Sequence, residues 1–379
     1  MSQRQKSSTL LVPLFAALAA TFLTPIDRAA AADGIVASIK PVHSLVAGVM
    51  KGVGEPELLI GGAQSPHTWS MKPSQAQSLQ NAKAIFWIGE GIETPLAKPI
   101  ATIAKEGAGV ELMDTEGLTL HPLRGDHDGH DHGGSDDHAD HDDHGHDEHK
   151  EAKADDHDDH DHSGHDHDDH GHDDHKDEHS SHDHDDHGHD DHKEAKADDH
   201  DDHAGHGHAE GEADAHIWLS PDNAKLMLAN IVLKLTAVDP DNGPTYKANA
   251  DAMIEKINAA EDAISEKLKA VADSEVIVFH DAYQYFEKSF GLKPAHAVVF
   301  NPEVTPGAAR ITELKEEAEE LKIKCIFAEP QFDGKILKLI SEQTGQDVTV
   351  IDPLGADLEA GPELYTKLIN NMADAYSKC

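Results

Sequence analysis

Residues 121–208 decide where a hydrophobic core can and cannot lie. This stretch holds 27 of the chain's 32 histidines together with 29 aspartates, and no Phe, Trp or Tyr. Its unit is Asp-Asp-His or Asp-His, so it has nothing apolar to bury and is expected to stay disordered without metal. It is also duplicated internally. His149–His160 reads HKEAKADDHDDH, and His192–His203 repeats it 43 residues later. A repeat of that length often marks a modular fold. This unit has no apolar face to stack, however, so slippage within a low-complexity insert explains it better. Any fold must therefore be assembled from the two flanking pieces.

The same stretch accounts for most of the charge. The whole chain carries a net −42, of which −27 lies within residues 121–208. A phosphate backbone needs clustered Lys and Arg, so nucleic acid is excluded as a partner. Divalent cations are the natural alternative.

The N-terminus reads as a signal peptide. Arg4 and Lys6 form a positive region, Leu10 to Leu23 is an apolar run, and Ala29 to Ala32 supplies small residues for cleavage before Asp33. The run falls short of the roughly 20 residues that a membrane span needs. No Cys lies near the cleavage site, so a free periplasmic protein is expected. Its two cysteines, Cys325 and Cys379, read as a disulfide in that oxidising compartment. The bridge would close a loop of about 55 residues, which the chain-entropy model values at about 4 kcal/mol.

The flanking pieces alternate strand-like and helix-like runs. In the first, Ile35–Ile39, Glu57–Ile60, Ala84–Ile88 and Val110–Met113 read as strands. Pro41–Lys51, Pro73–Asn81 and Pro95–Lys105 read as helices, each with proline at its first position. In the second, strands are expected at Glu275–Phe279, Ala297–Phe300, Lys324–Ala328 and Val348–Ile351. Helices fit Ala282–Phe290, Pro306–Leu321, Gly334–Thr344 and Pro362–Ser377. That alternation implies an α/β protein of two lobes, each a parallel sheet flanked by helices. Asn242–Val271 has apolar residues at near-helical spacing and predicts one long rigid helix of about 40 Å joining the lobes. Ligands of open α/β sheets bind beyond the carboxyl ends of the strands, which places a site in the interlobe cleft.

Five histidines lie outside the insert: His43, His67, His216, His280 and His296. His67 follows the Gly61-Gly62 turn, His216 precedes the helix start at Pro221, and His280 ends the run EVIVFH. All three stand at strand-to-helix transitions, and three imidazoles suit Zn²⁺, which takes four tetrahedral ligands and favours N or S donors. An isolated His is as often a packed polar residue. His43, inside a helix, and His296, beginning a strand, are read as structural. Zinc catalysis would also use three His and a water, but no HExxH and no nucleophile elbow is present. Glu329 in AEPQ is the one acid to consider, and an ion pair explains it equally well.

With these residues in view the chain resembles the zinc-specific solute-binding proteins of ABC importers, the ZnuA-like members of the metal-binding cluster. The stretches that carry the resemblance are IKPVHSLVAGVM, GGAQSPHTWSMKPS, HIWLSPDNA, VFHDAYQYFEKSFGL, NPEVTPGA, FAEPQF and DPLGADL. The acidic histidine-rich loop between the first two ligand motifs belongs to the same pattern. The resemblance implies two α/β lobes on one long helix and metal ligands at His67, His216 and His280. It implies a fourth ligand at Asp352, with a water or a histidine of the insert as alternatives. Some zinc members use a Glu just before the first ligand, where this chain has Pro66. Similar proteins also carry a disulfide at positions matching Cys325 and Cys379. Manganese-binding relatives tend to carry Glu where His280 stands, and imidazole suits zinc better than manganese.

The expected function is capture of Zn²⁺ by a periplasmic monomer and its delivery to the membrane permease of an ABC importer. A periplasmic metal buffer or sensor, and a manganese-binding relative, are the alternatives, with a zinc hydrolase behind them. The expected organisation is a signal peptide at 1–32, a first lobe at 33–120 completed by 209–240, and the metal-binding loop at 121–208. A linking helix at 241–272 and a second lobe at 273–379 follow.

Overall fold

A computed structural model describes residues 33–124 and 213–379 of the 379-residue chain. The segment read as a signal peptide, and the histidine-rich stretch from residue 125 onward, lie outside the described residues.

The first sheet comprises β1 (Ile35–Ile39), β2 (Glu57–Ile60), β3 (Ala84–Trp87) and β4 (Gly109–Glu111), in the order β2-β1-β3-β4 with every pair parallel. The helices that follow the first three strands are α1 (Lys40–Val49), α2 (Pro73–Asn81) and α3 (Glu90–Ile103). β1 reads IVASI and is buried at every position, as a strand covered on both faces must be. α3 begins five residues before the start expected at Pro95. The buried Glu93 explains the difference. Its carboxylate accepts the amides of Ile88 and Gly89 and the hydroxyl of Ser38, which organises the first turn. The helix breaks at Glu93, so Pro95 starts the next segment, where a missing N–H costs little.

After residue 213 the chain forms α4 (Pro221–Val238) and the 26-residue α5 (Gly243–Leu268). Tyr246, Ala250, Met253, Ile257, Ala260, Ile264 and Leu268 form the buried stripe of α5, spaced three or four residues apart. At about 1.5 Å per residue α5 is about 39 Å long.

The second sheet repeats the plan of the first. β5 (Val276–His280), β6 (His296–Val299), β7 (Cys325–Ala328) and β8 (Val348–Val350) run parallel in the order β6-β5-β7-β8. Its helices are α6 (Gln284–Phe290), α7 (Ala308–Glu320), α8 (Lys335–Thr344) and the closing α9 (Leu364–Tyr376). The structure is thus two parallel-sheet α/β lobes flanked by helices, with α5 packed against α1, α4 and α9. Gly48 of α1 is needed at this junction, since a Cβ there would fall 1.7 Å from Met253 Sδ on α5. One core cluster runs through both lobes, and a smaller one lies between the second sheet and α7 and α8.

Cys325, at the start of β7, is bonded to Cys379, with their Cα atoms 5.5 Å apart. The bridge fixes the chain end beyond α9 to the second sheet. No helix among the described residues is long and apolar enough to cross a membrane.

Candidate metal centre

His280 is the last residue of β5, a central strand, and it inherits a rigid position from that strand. The β5–β7 register pairs Val278 with Phe327. Two residues further on, His280 and Glu329 come level at the carboxyl end of the sheet. The Nδ1 of His280 donates to Glu329 Oε1 at 2.8 Å, and both side chains are almost fully buried. His216 stands immediately before the single 3-10 turn Ile217–Leu219 that leads into α4. Its Nδ1 donates to Asp214 Oδ1 at 2.8 Å, and its backbone N–H donates to the same oxygen at 3.0 Å. His67 lies in the loop between β2 and α2 and is half-buried.

These three imidazoles converge. Each offers a ring nitrogen, and the three nitrogens lie within 4.8 Å of one another. The His67 ring centroid is 5.9 Å from that of His216 and 6.1 Å from that of His280. Pro66, Trp218, Phe332, Pro353 and Leu354 help to line the cavity they share. Trp218 is fixed there by its indole N–H, which donates to the Pro353 carbonyl at 2.9 Å.

The two carboxylates set the chemistry of the histidines they hold. An imidazole whose Nδ1 proton is given to a carboxylate presents the lone pair of Nε2. The Nε2 atoms of His216 and His280 face each other at 3.4 Å. Two lone pairs at that distance repel unless a cation or a proton comes between them. Zinc–nitrogen bonds of about 2.05 Å at a tetrahedral angle put two ligand nitrogens about 3.3–3.4 Å apart. The pair is therefore spaced for one tetrahedral ion. Burial disfavours a charge on His280, but the adjacent Glu329 outweighs burial and raises its pKa above the ordinary histidine value. Burial likewise opposes the charge of Asp214, and the His216 ring and its N–H donors overcome it, holding that carboxyl below its usual range.

Asp352, expected as the fourth ligand, is not brought into this group. One carboxylate oxygen accepts the amides of Leu354 and Gly355 and the side-chain amide of Gln331, while the other accepts the amide of Ala356. The carboxylate thus braces the turn after β8. His43 and His296 sit elsewhere, as their positions suggested. His43 is buried in α1 with Nε2 on the Pro56 carbonyl at 3.0 Å, and His296 lies between Glu275 and Glu317.

Sequence reasoning missed Asp214 and gave Glu329 no orienting role. Asp214 did leave a signal, since an acid two residues before a His in an extended segment shares its side. The partnership of Glu329 depends on strand register and left none.

Residues 35–379 match the family model for ZnuA, described as the periplasmic component A of the zinc-uptake complex. The high-affinity zinc uptake system protein ZnuA of Brucella abortus (strain 2308) is 42% identical over 349 residues, covering 92% of this chain and 91% of its own. The protein of that name from Haemophilus influenzae is 36% identical over 346 residues, covering 91% and 92%. A crystal structure of ZnuA shares the fold at a TM-score of 0.60 and 21% identity, covering 90% of this chain and 98% of that one. This chain belongs to the ZnuA family of periplasmic zinc-uptake components.

Proposed function

We propose that the protein captures Zn²⁺ in the periplasm through His67, His216 and His280 and delivers it to the permease of an ABC importer. The observation that carries this reading is the 3.4 Å approach of two imidazole Nε2 atoms whose Nδ1 protons are each committed to a buried carboxylate. Three imidazole nitrogen donors suit zinc better than manganese, which prefers oxygen. A fourth ligand would come from Asp352, whose carboxylate accepts backbone amides in this structure as ligating carboxylates commonly do, from a water, or from a histidine of the insert. Both carboxylates nearest the histidines orient these rings toward the shared cavity, as partners of metal-binding histidines do. The many interchangeable histidines and aspartates of residues 121–208 offer further ligands, which bind additional ions more weakly than the three-histidine group.

Zinc titration against a competing chelator tests the reading on the full chain and on His216→Ala. The variant is expected to lose the tightest binding event while retaining the weaker ones. A tight event that survives in His216→Ala overturns the ligand assignment. Complementation of zinc-limited growth by the parent, and its loss in the variant, tests delivery. Equal growth with both overturns the uptake role of this site.

A further inference from the structure

The described chain enters the histidine-rich stretch at Arg124 and leaves it at Ala213, and these two ends are tied to each other. Pro122 and Ala213 form an antiparallel bridge, and the Asp214 amide donates to the His121 carbonyl at 2.8 Å. Helix α6 grips the pair from one side. The Tyr285 hydroxyl donates to the Asp214 carbonyl at 2.6 Å and accepts the His121 amide at 3.2 Å. Gln284, only 3% exposed, donates through Nε2 to the Pro122 carbonyl at 3.0 Å and to Asp214 Oδ2 at 3.3 Å. Its Oε1 accepts Lys288 Nζ at 2.8 Å, which settles which end of the amide carries the donors.

Asp214 is the junction of this network. Oδ1 is used by His216, and the side-chain donor to Oδ2 is Gln284. The torsion that turns a carboxylate about its own axis is soft. Without a donor on Oδ2, Oδ1 keeps only its two bonds to His216, the carboxylate turns more freely, and the aim of the Nε2 lone pair toward His280 is held less tightly.

We propose that Gln284 is a positioning residue for zinc capture: it sets the Asp214 carboxylate that orients His216, and it ties that ligand to the root of the histidine-rich segment at Pro122. The inference rests on the reading of His216 as a zinc ligand. One Nε2 group serves both Pro122 and Asp214, so displacement of the root alters the support of the ligand. By linkage, filling the metal site must in turn bias the root.

The test uses the full chain. The tightest zinc affinity is measured by chelator competition, the coordination geometry by the visible absorption of one equivalent of Co²⁺, and the fold by the unfolding temperature. Gln284→Leu keeps the bulk and removes both donors. Its tightest dissociation constant is expected to rise about threefold to fivefold, less than the roughly 10–100-fold for a direct partner of a ligand because Gln284 acts through Asp214, with shifted cobalt bands. Lys288→Met alters an exposed side chain and releases the amide of Gln284, so a smaller change in the same direction is expected. Parental affinity and cobalt bands in a folded Gln284→Leu overturn the proposal. If that variant does not fold, parental values in Lys288→Met overturn it. His216→Ala serves as the reference. If it keeps the tightest event, the ligand reading itself has failed; if it loses that event while the other two match the parent, only the role of Gln284 has.

Discussion

The two lobes share a strand order and an all-parallel pairing, yet they supply the metal site in different ways. The first contributes His67 from a loop that follows β2, an edge strand, and the imidazole remains half-buried. The second contributes His280 from the end of a central strand, where it is 3% exposed and fixed by Glu329. His216 is held almost as firmly, by Asp214. Two of the proposed ligands are therefore preset, and the third is carried on irregular backbone. In such a site the strand-borne pair should contribute more to recognition of an ion than the loop-borne imidazole does.

The largest effect should expose that asymmetry. His280→Ala removes half of the preset pair and leaves Glu329 buried without its imidazole, so the tightest zinc affinity should fall by several orders of magnitude. His67→Ala leaves the pair in place and should cost less. Chelator competition on both variants decides between them. An equal or larger loss for His67→Ala would mean that the loop, and not the strand, carries the recognition.

A smaller effect is expected from the carboxylate behind the strand-borne ligand. Glu329→Gln keeps the shape and removes the charge, and outer-shell partners of this kind are worth about 10–100-fold in metal affinity. The expectation is a loss at the low end of that range with the fold retained. An unchanged affinity, measured in the same assay, would show that β5 alone orients His280.

The same contrast between local and long-range causes separates what could be read in the sequence from what could not. α2 was legible from end to end, because Pro73 fixes its first position and the asparagine at its end precedes the next strand. β1 and β2 were legible as short apolar runs. α3 was not, because its start depends on Glu93 meeting Ser38, 55 residues away. The run expected to continue as strand to Met113 turns instead into a 3-10 helix at Leu112–Asp114. In the site, the three histidines could be found because each stands where a strand or loop gives way to a helix. Asp352 carries the same chemistry in its sequence, but the turn that follows it presents three amides to its side chain. Nothing short of the folded backbone reveals that competition.

The lobes also differ in how they are fastened, and this sets the next expectation. The second lobe carries the Cys325–Cys379 bridge, across a separation of 54 residues. Closing a loop of that length is worth about 4 kcal/mol in the chain-entropy model, or about 10 °C in Tm for a domain of this size. Cys379→Ser should lower the unfolding temperature by that order while leaving the tightest zinc affinity close to parental, because the bridge lies at the amino end of β7 and Glu329 beyond its carboxyl end. A large loss of affinity would show that the staple and the site are mechanically coupled. Thiol labelling of the denatured, unreduced parent should find no free cysteine.

The smallest effect concerns a histidine of the second lobe that holds no metal role. His296 opens β6 between two carboxylates, with Nε2 3.1 Å from Glu275 and Nδ1 3.6 Å from Glu317. Lys293 pairs with Glu275 and Arg310 with Glu317, so the carboxylates are shared. The Glu317 carboxylate beside Nδ1 leads the causes that raise the His296 pKa; burial opposes the charge, and Glu275, which accepts from Nε2, supports it. A histidine whose folded pKa exceeds its unfolded value stabilises the fold fully below about pH 6.5, and the contribution disappears as pH rises through the folded pKa. The side chain is 23% exposed, and the carboxylates keep their basic partners, so the contribution should stay below about 1 kcal/mol. The expected result is a parental advantage in unfolding temperature over His296→Gln of about 2–3 °C at pH 6 that vanishes near pH 9. A difference that is constant across that range would assign His296 to packing alone, and one that grows with pH would reverse the sign of the ion-pair argument.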